Sequence, residues 1–153
     1  MPEVHHFYLD SNVYLAWIKG EEGRVNTARE LLTAGEERRI MIVASTLVYA
    51  EVCGHGEVRS QNTGDVDAKI SKFFEHGFLR WVEVDLSLAR HARILSRKHG
   101  LRGADAVHLA SAIKGKADCF MTWDTKDFPI GKLIEGIMIQ EPEAYGQGTL
   151  PIM

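Results

Sequence analysis

Four acidic residues stand at places where a carboxylate needs a partner. Asp10 and Asp124 each follow a short apolar run, whereas Glu51 and Asp105 lie within helical patterns. A charge left dry and unpaired in a protein interior is strongly unfavourable. Four carboxylates brought close together would repel one another unless they were protonated or bridged by cations. An all-oxygen cluster of this kind suits Mg²⁺ or Mn²⁺ rather than zinc.

The chemistry of such a cluster would be hydrolysis of a phosphodiester. Mg²⁺ usually takes only one or two carboxylates directly and keeps several waters, so its site stays open to phosphate oxygens. Two ions roughly 3.5–4 Å apart can activate a water and stabilise the leaving oxygen of an in-line displacement. Ser11 and Thr122, next to two of the acids, are predicted to orient carboxylates or waters through their hydroxyls.

Each acid also has a purely structural interpretation. Asp10 fits the N-cap of a helix, Asp124 fits the start of a turn, and Asp105 fits the positive end of a helix. Glu51 fits such roles worst, because its neighbours in TLVYAEVCG are apolar or small and no Lys or Arg lies within four residues. If Glu51 is buried, its partner must come from elsewhere in the chain.

The elements that must position these acids alternate between strands and helices. The strand-like runs are HFYLD, RIMIVAS, LRWVEVD, ADCFMT and GIMIQ. The helical stretches are SNVYLAWIKG, GRVNTARELLTAG, STLVYAEVCG, DVDAKISKFFEHG, LSLARHARILSRKHG and GADAVHLASAIKGK. This alternation predicts parallel β-α-β units with helices on both faces of one sheet. Sites in such sheets form beyond the carboxyl ends of the strands, which is where the four acids fall. HGEVRSQNTG is predicted to be a loop, and EPEAYGQGTLPIM to be coil.

Composition places the chain among ordinary globular proteins. The 153 residues are 45% apolar and 25% charged, which predicts a single domain over residues 1–153. No apolar run reaches membrane-spanning length and the N-terminus has no secretion leader, so a soluble cytoplasmic protein without a membrane partner is expected. Cys53 and Cys119 are predicted to be buried thiols.

The net charge and the spacing of the histidines and cysteines say little about what the chain binds. The net charge of −3 does not favour a nucleic-acid partner, but the remainder of the chain would be slightly positive if four acids converged on a metal site. The seven histidines and two cysteines have no zinc-ligand spacing, which argues against a zinc site.

The four acidic segments together resemble a known family. YLDSNVYL, STLVYAEV, GADAVHLASA and FMTWDTKDF are similar, in this order, to the four acidic motifs of PIN-domain ribonucleases, and most of all to the toxins of VapBC-type toxin–antitoxin pairs. The similarity runs from about residue 7 to 139 and leaves 140–153 as a C-terminal tail. It implies a three-layer α/β/α sandwich with a central parallel sheet and a Mg²⁺- or Mn²⁺-dependent endoribonuclease.

The resemblance also implies roles for residues and for partners. The catalytic and metal-binding acids of the family fall on Asp10, Glu51, Asp105 and Asp124. Supporting positions fall on Ser11, Asn12, Thr122 and Asp127, of which Asp127 also fits the start of the turn KDFP. His108 matches a histidine to which we assign a structural role, and Trp123 departs from the residues expected at its position. The implied partners are an RNA substrate, a small antitoxin and a second copy of the chain.

Several alternatives stay open at this point. A PIN-like RNA-processing nuclease outside any toxin pair has the same acids, and a non-catalytic RNA- or protein-binding module would be favoured by their loss. A phosphoaspartate enzyme of the haloacid-dehalogenase type needs a second Asp where this chain has Asn12. A receiver domain would use Asp85, but GIMIQEPE lacks the expected lysine, so Asp85 is predicted to cap the next helix instead.

Overall fold

A six-stranded sheet lies at the centre of the computed structural model, which describes residues 4–55, 64–75 and 77–144. Its strands are β1 (His5–Leu9), β2 (Ile40–Ser45), β3 (Leu79–Val82), β4 (Cys119–Met121), β5 (Leu133–Ile134) and β6 (Ile137–Gln140). They are arranged in the order β3-β2-β1-β4-β6-β5. Every neighbouring pair is parallel except β5 and β6. The predicted parallel sheet is therefore confirmed, with an antiparallel strand added at one edge.

The helices follow the predicted order along the described chain. They are α1 (Ser11–Lys19), α2 (Val25–Glu36), α3 (Thr46–Cys53), α4 (Gly64–Phe74), α5 (Leu86–His99) and α6 (Gly103–Lys114). Ser45 caps α3 by accepting the N–H of Val48, and Asp85 caps α5 by accepting the N–H of Leu88. The prediction that Asp85 is a helix cap is thus confirmed. Among the described residues, each helix is too short or too polar to cross a membrane.

Two close glycine contacts place helices on both faces of the sheet. Gly35 of α2 packs directly on the side chain of Ile42, and Gly115, just after α6, packs on that of Val43. Successive residues of a strand point to opposite faces, so α2 and α6 lie on opposite sides of β2. This arrangement is the three-layer α/β/α sandwich that the resemblance implied.

Three local features differ from the sequence-based expectations or lie outside the described residues. The β5–β6 hairpin was not predicted, because β5 has only two residues and turns through Glu135 and Gly136, both with positive φ (46° and 86°). Cys119 is buried as predicted, but Cys53 is only partly buried, so that half of the thiol prediction is wrong. Most of the predicted loop, at 56–63, and the tail from 145 onwards lie outside the described residues.

Gly115→Ala is expected to lower the free energy of unfolding by about 1–3 kcal/mol through overpacking. A β-carbon at this position would meet Val43, Val82 and the carbonyl oxygen of Ser111. The two valines are β-branched and cannot turn aside easily. Urea unfolding would measure the loss, with Gly77→Ala as the control because a β-carbon there meets nothing within 4 Å. Equal stability of the two variants would contradict close packing between α6 and the sheet.

Candidate metal centre

The site begins where β1 and β4 end side by side. Leu9 pairs with Met121 in parallel register, and the N–H of Asp10 donates to the carbonyl oxygen of Met121 at 2.9 Å. The residues that follow the two strands, Asp10 and Thr122, therefore emerge together at the carboxyl edge of the sheet. Sites in open α/β sheets form at this edge.

Asp10 is both a helix cap and a buried carboxylate of the site. Its oxygens accept hydrogen bonds from the Ser11 N–H (2.8 Å) and the Thr122 hydroxyl (2.7 Å), although the residue is only 7% exposed. Burial raises the pKa of Asp10, and the opposing effects of nearby His108 and of these hydrogen bonds do not cancel it. The two interpretations of Asp10 are therefore compatible. The carboxylate caps α1, and the groups around it do not fully compensate its negative charge.

Glu51 finds its partner in a histidine from another helix. One of its carboxylate oxygens, Oε1, accepts from the Ser11 hydroxyl at 2.6 Å and from His108 Nε2 at 2.5 Å. Burial would raise the pKa of Glu51, but the hydrogen bond and charge of His108 lower it below its usual value. Glu51 is consequently held as a carboxylate, and about a third of its side chain is exposed (34%).

Three further acids form the closest cluster among the described residues. One carboxylate oxygen from each of Asp105, Asp124 and Asp127 lies within 4.8 Å of the other two. Burial raises the pKa of Asp105 to about 6, and the charges of Asp10, Asp124 and Asp127 add to the rise. Among the described residues, the charge that opposes this rise is that of His108, and no Lys or Arg contributes to it. The cluster is therefore a place of uncompensated negative charge.

The predicted acids are thus distributed unevenly around the site. Asp105 and Asp124 lie with Asp127, which was ranked below them from the sequence, while Asp10 interacts electrostatically with Asp105. Glu51 lies on the other side, joined to Asp10 through the ring of His108, whose Nε2 is 3.7 Å from Asp10 Oδ1. Asp124 also accepts the N–H of Asp127 at 3.0 Å, so it starts a turn as well as joining the cluster.

Asn12 and Thr122 fix the segment that carries Asp124. The Asn12 amide donates to the Thr122 hydroxyl oxygen at 3.1 Å and accepts the N–H of Trp123 at 3.3 Å. Thr122 also accepts the N–H of Asp124 at 3.0 Å. The guanidinium of Arg24 lies 5.0 Å from the centre of the Trp123 ring, a cation–π contact at the rim of the site.

The buried support behind Glu51 includes His108, for which a structural role was expected, and Tyr8, which was not predicted from the sequence. The Tyr8 hydroxyl lies 2.7 Å from His108 Nδ1 and 2.9 Å from the Ser45 hydroxyl. Burial lowers the pKa of His108, but its hydrogen bond to Glu51 and the charge of Asp10 outweigh burial and raise it. A tyrosine and a histidine in otherwise apolar elements each need a polar partner, which was the signal available in the sequence.

The donor set fits a hard divalent cation. It consists of carboxylate oxygens, which Mg²⁺ and Mn²⁺ prefer, and its raised pKa values indicate negative charge that a cation would relieve. Among the described residues, the carboxylates close enough to share one ion are those of Asp105, Asp124 and Asp127, and Asp10 interacts electrostatically with Asp105. Glu51 and its histidine complete the polar wall opposite them.

Comparison with curated proteins finds two short matches. Ribonuclease VapC45 of Mycobacterium tuberculosis strain CDC 1551 / Oshkosh and ribonuclease VapC49 of strain H37Rv are each 59% identical over 34 residues. These matches cover 22% of this chain and 24% of each relative, so the match spans about a quarter of the relatives' length.

Similar solved structures cover much more of the chain. A toxin–antitoxin complex from Klebsiella pneumoniae matches with a TM-score of 0.61 at 19% identity, covering 86% of this chain and 94% of that one. Mycobacterium tuberculosis VapC20, a sarcin–ricin-loop-cleaving toxin, matches at 0.59 and 14% identity, covering 74% and 86%. VapBC2 of Rickettsia felis, bound to promoter DNA, matches at 0.59 and 14%, covering 89% and 98%. These likenesses establish the fold.

The family follows from a match of sequence over most of the chain. The family model of the PIN domain matches residues 7–129, a range that contains every acid of the candidate metal centre. The order of strands and helices described above and the solved structures agree with this match. The chain belongs to the PIN domain family.

Proposed function

We propose that this chain is a metal-dependent endoribonuclease that hydrolyses phosphodiester bonds in RNA. The cluster of Asp105, Asp124 and Asp127 at the carboxyl edge of the sheet, with the raised pKa of Asp105, carries the proposal. Family membership supports it, as do relatives that are named ribonucleases. The proposed metal ligands and catalytic acids are Asp10, Glu51, Asp105 and Asp124, assisted by Ser11, Asn12, Thr122 and Asp127.

The side chains of this centre prepare it for a cation and an anionic substrate. A bound Mg²⁺ or Mn²⁺ would lower the pKa of a water and stabilise the negative charge that develops on the leaving oxygen. Thr122 and the Ser11 N–H hold the Asp10 carboxylate in one orientation, and the Ser11 hydroxyl holds Glu51. Asp105 would release its proton as a cation binds, because its raised pKa arises from burial and neighbouring acids.

Cleavage of a total RNA pool by the purified chain is expected with Mg²⁺ or Mn²⁺ and is expected to stop in EDTA. The physical reason is that the acids alone repel the phosphodiester and one another. Gel electrophoresis with fragment sequencing would measure the cutting and identify its positions. Asp105→Asn is the matched variant and should not cut RNA. If a preparation of this variant still cut RNA, the activity would come from a contaminating nuclease. Absence of cutting by folded, partner-free protein with every metal would favour the non-catalytic binding module.

We further propose that the chain is the toxin of a toxin–antitoxin pair, with a small antitoxin and a second copy of itself as partners. The support is that structures with the same fold are toxin–antitoxin complexes. Expression of the chain should then arrest growth, and co-expression of a small protein encoded beside it should relieve the arrest. No arrest would favour an RNA-processing role, whereas arrest that persists with Asp105→Asn would show that the arrest does not depend on RNA cleavage. Sedimentation of the purified chain would test for the homodimer.

A further inference from the structure

We propose that Tyr8 is a positioning residue for the metal centre, acting on Glu51 through the ring of His108. The inference rests on the proposed function, since it takes Glu51 to be a ligand or substrate-facing carboxylate of that centre. It concerns the Tyr8 hydroxyl, which contacts the opposite side of the His108 ring from Glu51 and makes no hydrogen bond to any of the acids. The contacts that carry it form one continuous chain of hydrogen bonds.

The chain of hydrogen bonds starts at a group that can only donate. The N–H of Val48 donates to Ser45 Oγ at 3.3 Å, and Ser45 Oγ lies 2.9 Å from the Tyr8 hydroxyl. The Tyr8 hydroxyl in turn lies 2.7 Å from His108 Nδ1. A carboxylate such as that of Glu51 can only accept, so Nε2 carries the proton of the neutral ring; Nδ1 then accepts from Tyr8, and Ser45 donates to Tyr8.

Nε2 is the nitrogen that faces the site. It lies 2.5 Å from Glu51 Oε1, and a carboxylate oxygen can only accept a hydrogen bond. A protonated ring carries a hydrogen on both nitrogens, so Nε2 donates to Glu51 in either form of the ring. The hydrogen bond from Tyr8 to Nδ1 therefore stabilises the neutral tautomer in which Nε2 donates to the carboxylate.

Burial makes this chain a rigid support. Tyr8 and Ser45 are fully buried and His108 is 2% exposed, so water does not replace a lost partner. Tyr8 is also stacked on Phe120, with ring centres 5.3 Å apart and an interplanar angle of 8°, which fixes the direction of its hydroxyl. Removal of a group that hydrogen-bonds a metal ligand directly typically lowers metal affinity about 10–100-fold, and Tyr8 lies one hydrogen bond further out.

The chain offers a matched control for the loss of a buried tyrosine hydroxyl. Tyr14 is as deeply buried as Tyr8, but its hydroxyl has no hydrogen-bond partner among the described residues. Tyr8→Phe and Tyr14→Phe therefore remove the same atom from the same kind of surroundings. Only the first breaks the chain of hydrogen bonds to Glu51.

The test is binding of Mn²⁺ to the full chain, followed by electron paramagnetic resonance of the free ion, with folding checked by circular dichroism. Tyr8→Phe is expected to weaken Mn²⁺ binding about tenfold, at the lower end of the range for such supporting groups. Tyr14→Phe should bind as the wild type does. Glu51→Gln should weaken binding, and Tyr8→Phe should have no further effect in that background, because the two changes act on one interaction.

Each departure from this pattern has a distinct meaning. Weakened binding by Glu51→Gln with normal binding by Tyr8→Phe would overturn the role of Tyr8 and leave the metal centre standing. Equal loss from Tyr8→Phe in both backgrounds would also overturn it, since Tyr8 would act by another route. Normal Mn²⁺ binding by Glu51→Gln would show that Glu51 is not part of the metal centre, and it would overturn the proposed role of Tyr8.

A second pair of variants keeps the test decisive if Tyr8→Phe fails to fold. His108→Gln places an amide donor near the position of Nε2, whereas His108→Leu has no donor. The first should retain more Mn²⁺ affinity than the second. Equal affinity of the two variants would overturn the proposed route through Nε2.

Discussion

Asp10→Asn is expected to reduce RNA cleavage by a factor on the order of a thousand, because charge stabilisation by a bound cation is worth several kcal/mol and each 1.36 kcal/mol is tenfold in rate. The carboxylate of Asp10 would lose its charge at the point where β1 and β4 meet. The change is isosteric, so the loss of activity would report on chemistry and not on shape. Initial rates on a defined RNA fragment from the cleaved pool would measure it.

The fold should tolerate this substitution. An asparagine oxygen can still accept the N–H of Ser11, and Asn is as good an N-cap as Asp. Burial raises the pKa of Asp10, which means that the folded state disfavours its charged form. For an acid with a raised pKa in the folded state, stability is present at low pH and is lost as pH rises through that pKa. At neutral pH the removal of this charge should offset the loss of the hydrogen bond from Thr122 to Oδ2, so the metal-free Asp10→Asn protein should be about as stable as the wild type.

Asp118→Asn is the matched control for this prediction. Asp118 accepts the N–H of His6 at 2.8 Å, but its side chain is 48% exposed and precedes β4, at the amino edge of the sheet. The control should cleave RNA at the wild-type rate. If Asp10→Asn also cleaves normally, Asp10 is only a helix cap and the metal centre must be built from the remaining acids.

The sequence was sufficient to predict the edge of the sheet at which the acids meet. Apolar runs that end in Asp10 and before Asp124 identify strand ends, and parallel strands bring their carboxyl ends to one edge. Asp105 and Glu51 could be assigned to the same site because a charged residue in an otherwise apolar helix needs a partner. These inferences use only local spacing and one rule of topology.

The finer arrangement could not be predicted because it depends on tertiary geometry. Asp127 joins Asp105 and Asp124 through the direction of a turn, which spacing does not specify. Tyr8 and His108 are 100 residues apart, and they meet only because the folded chain brings the side chains of β1 and α6 together. The strand β5 was missed since two residues have no detectable period. Local pattern thus located the site, whereas its internal support required the folded chain.

The second large effect is expected from Asp105→Asn, which should stabilise the metal-free protein at neutral pH and weaken metal binding. In the metal-free protein the pKa of Asp105 is raised from 3.8 to about 6 by burial and by neighbouring acids. Its favourable contribution is complete below about pH 4 and is lost as pH rises through about 6. Above that range the folded protein carries an unfavourable charge. Asp105→Asn removes this charge, so the variant should lose less stability between pH 5 and pH 7.5.

Thermal unfolding in EDTA at these two pH values would measure the difference. Because the side chain is partly solvated, the gain from Asp105→Asn at pH 7.5 is taken as about 1 kcal/mol, or a Tm higher by about 2–4 °C. The raised pKa of His108 has the same sign of effect, and because the charge of Asp105 is one of its causes, Asp105→Asn should weaken this part of the pH dependence too.

Addition of Mn²⁺ should reverse the order of stability. A cation at 100 times its dissociation constant stabilises the state that binds it by about 2.7 kcal/mol, which the wild type gains and Asp105→Asn largely loses. The wild type should then have the higher Tm at pH 7.5. If Mn²⁺ raised the Tm of both proteins equally, Asp105 would lie outside the metal centre. If neither Mn²⁺ nor EDTA changed the Tm of either protein, the cluster of acids would not be a cation site.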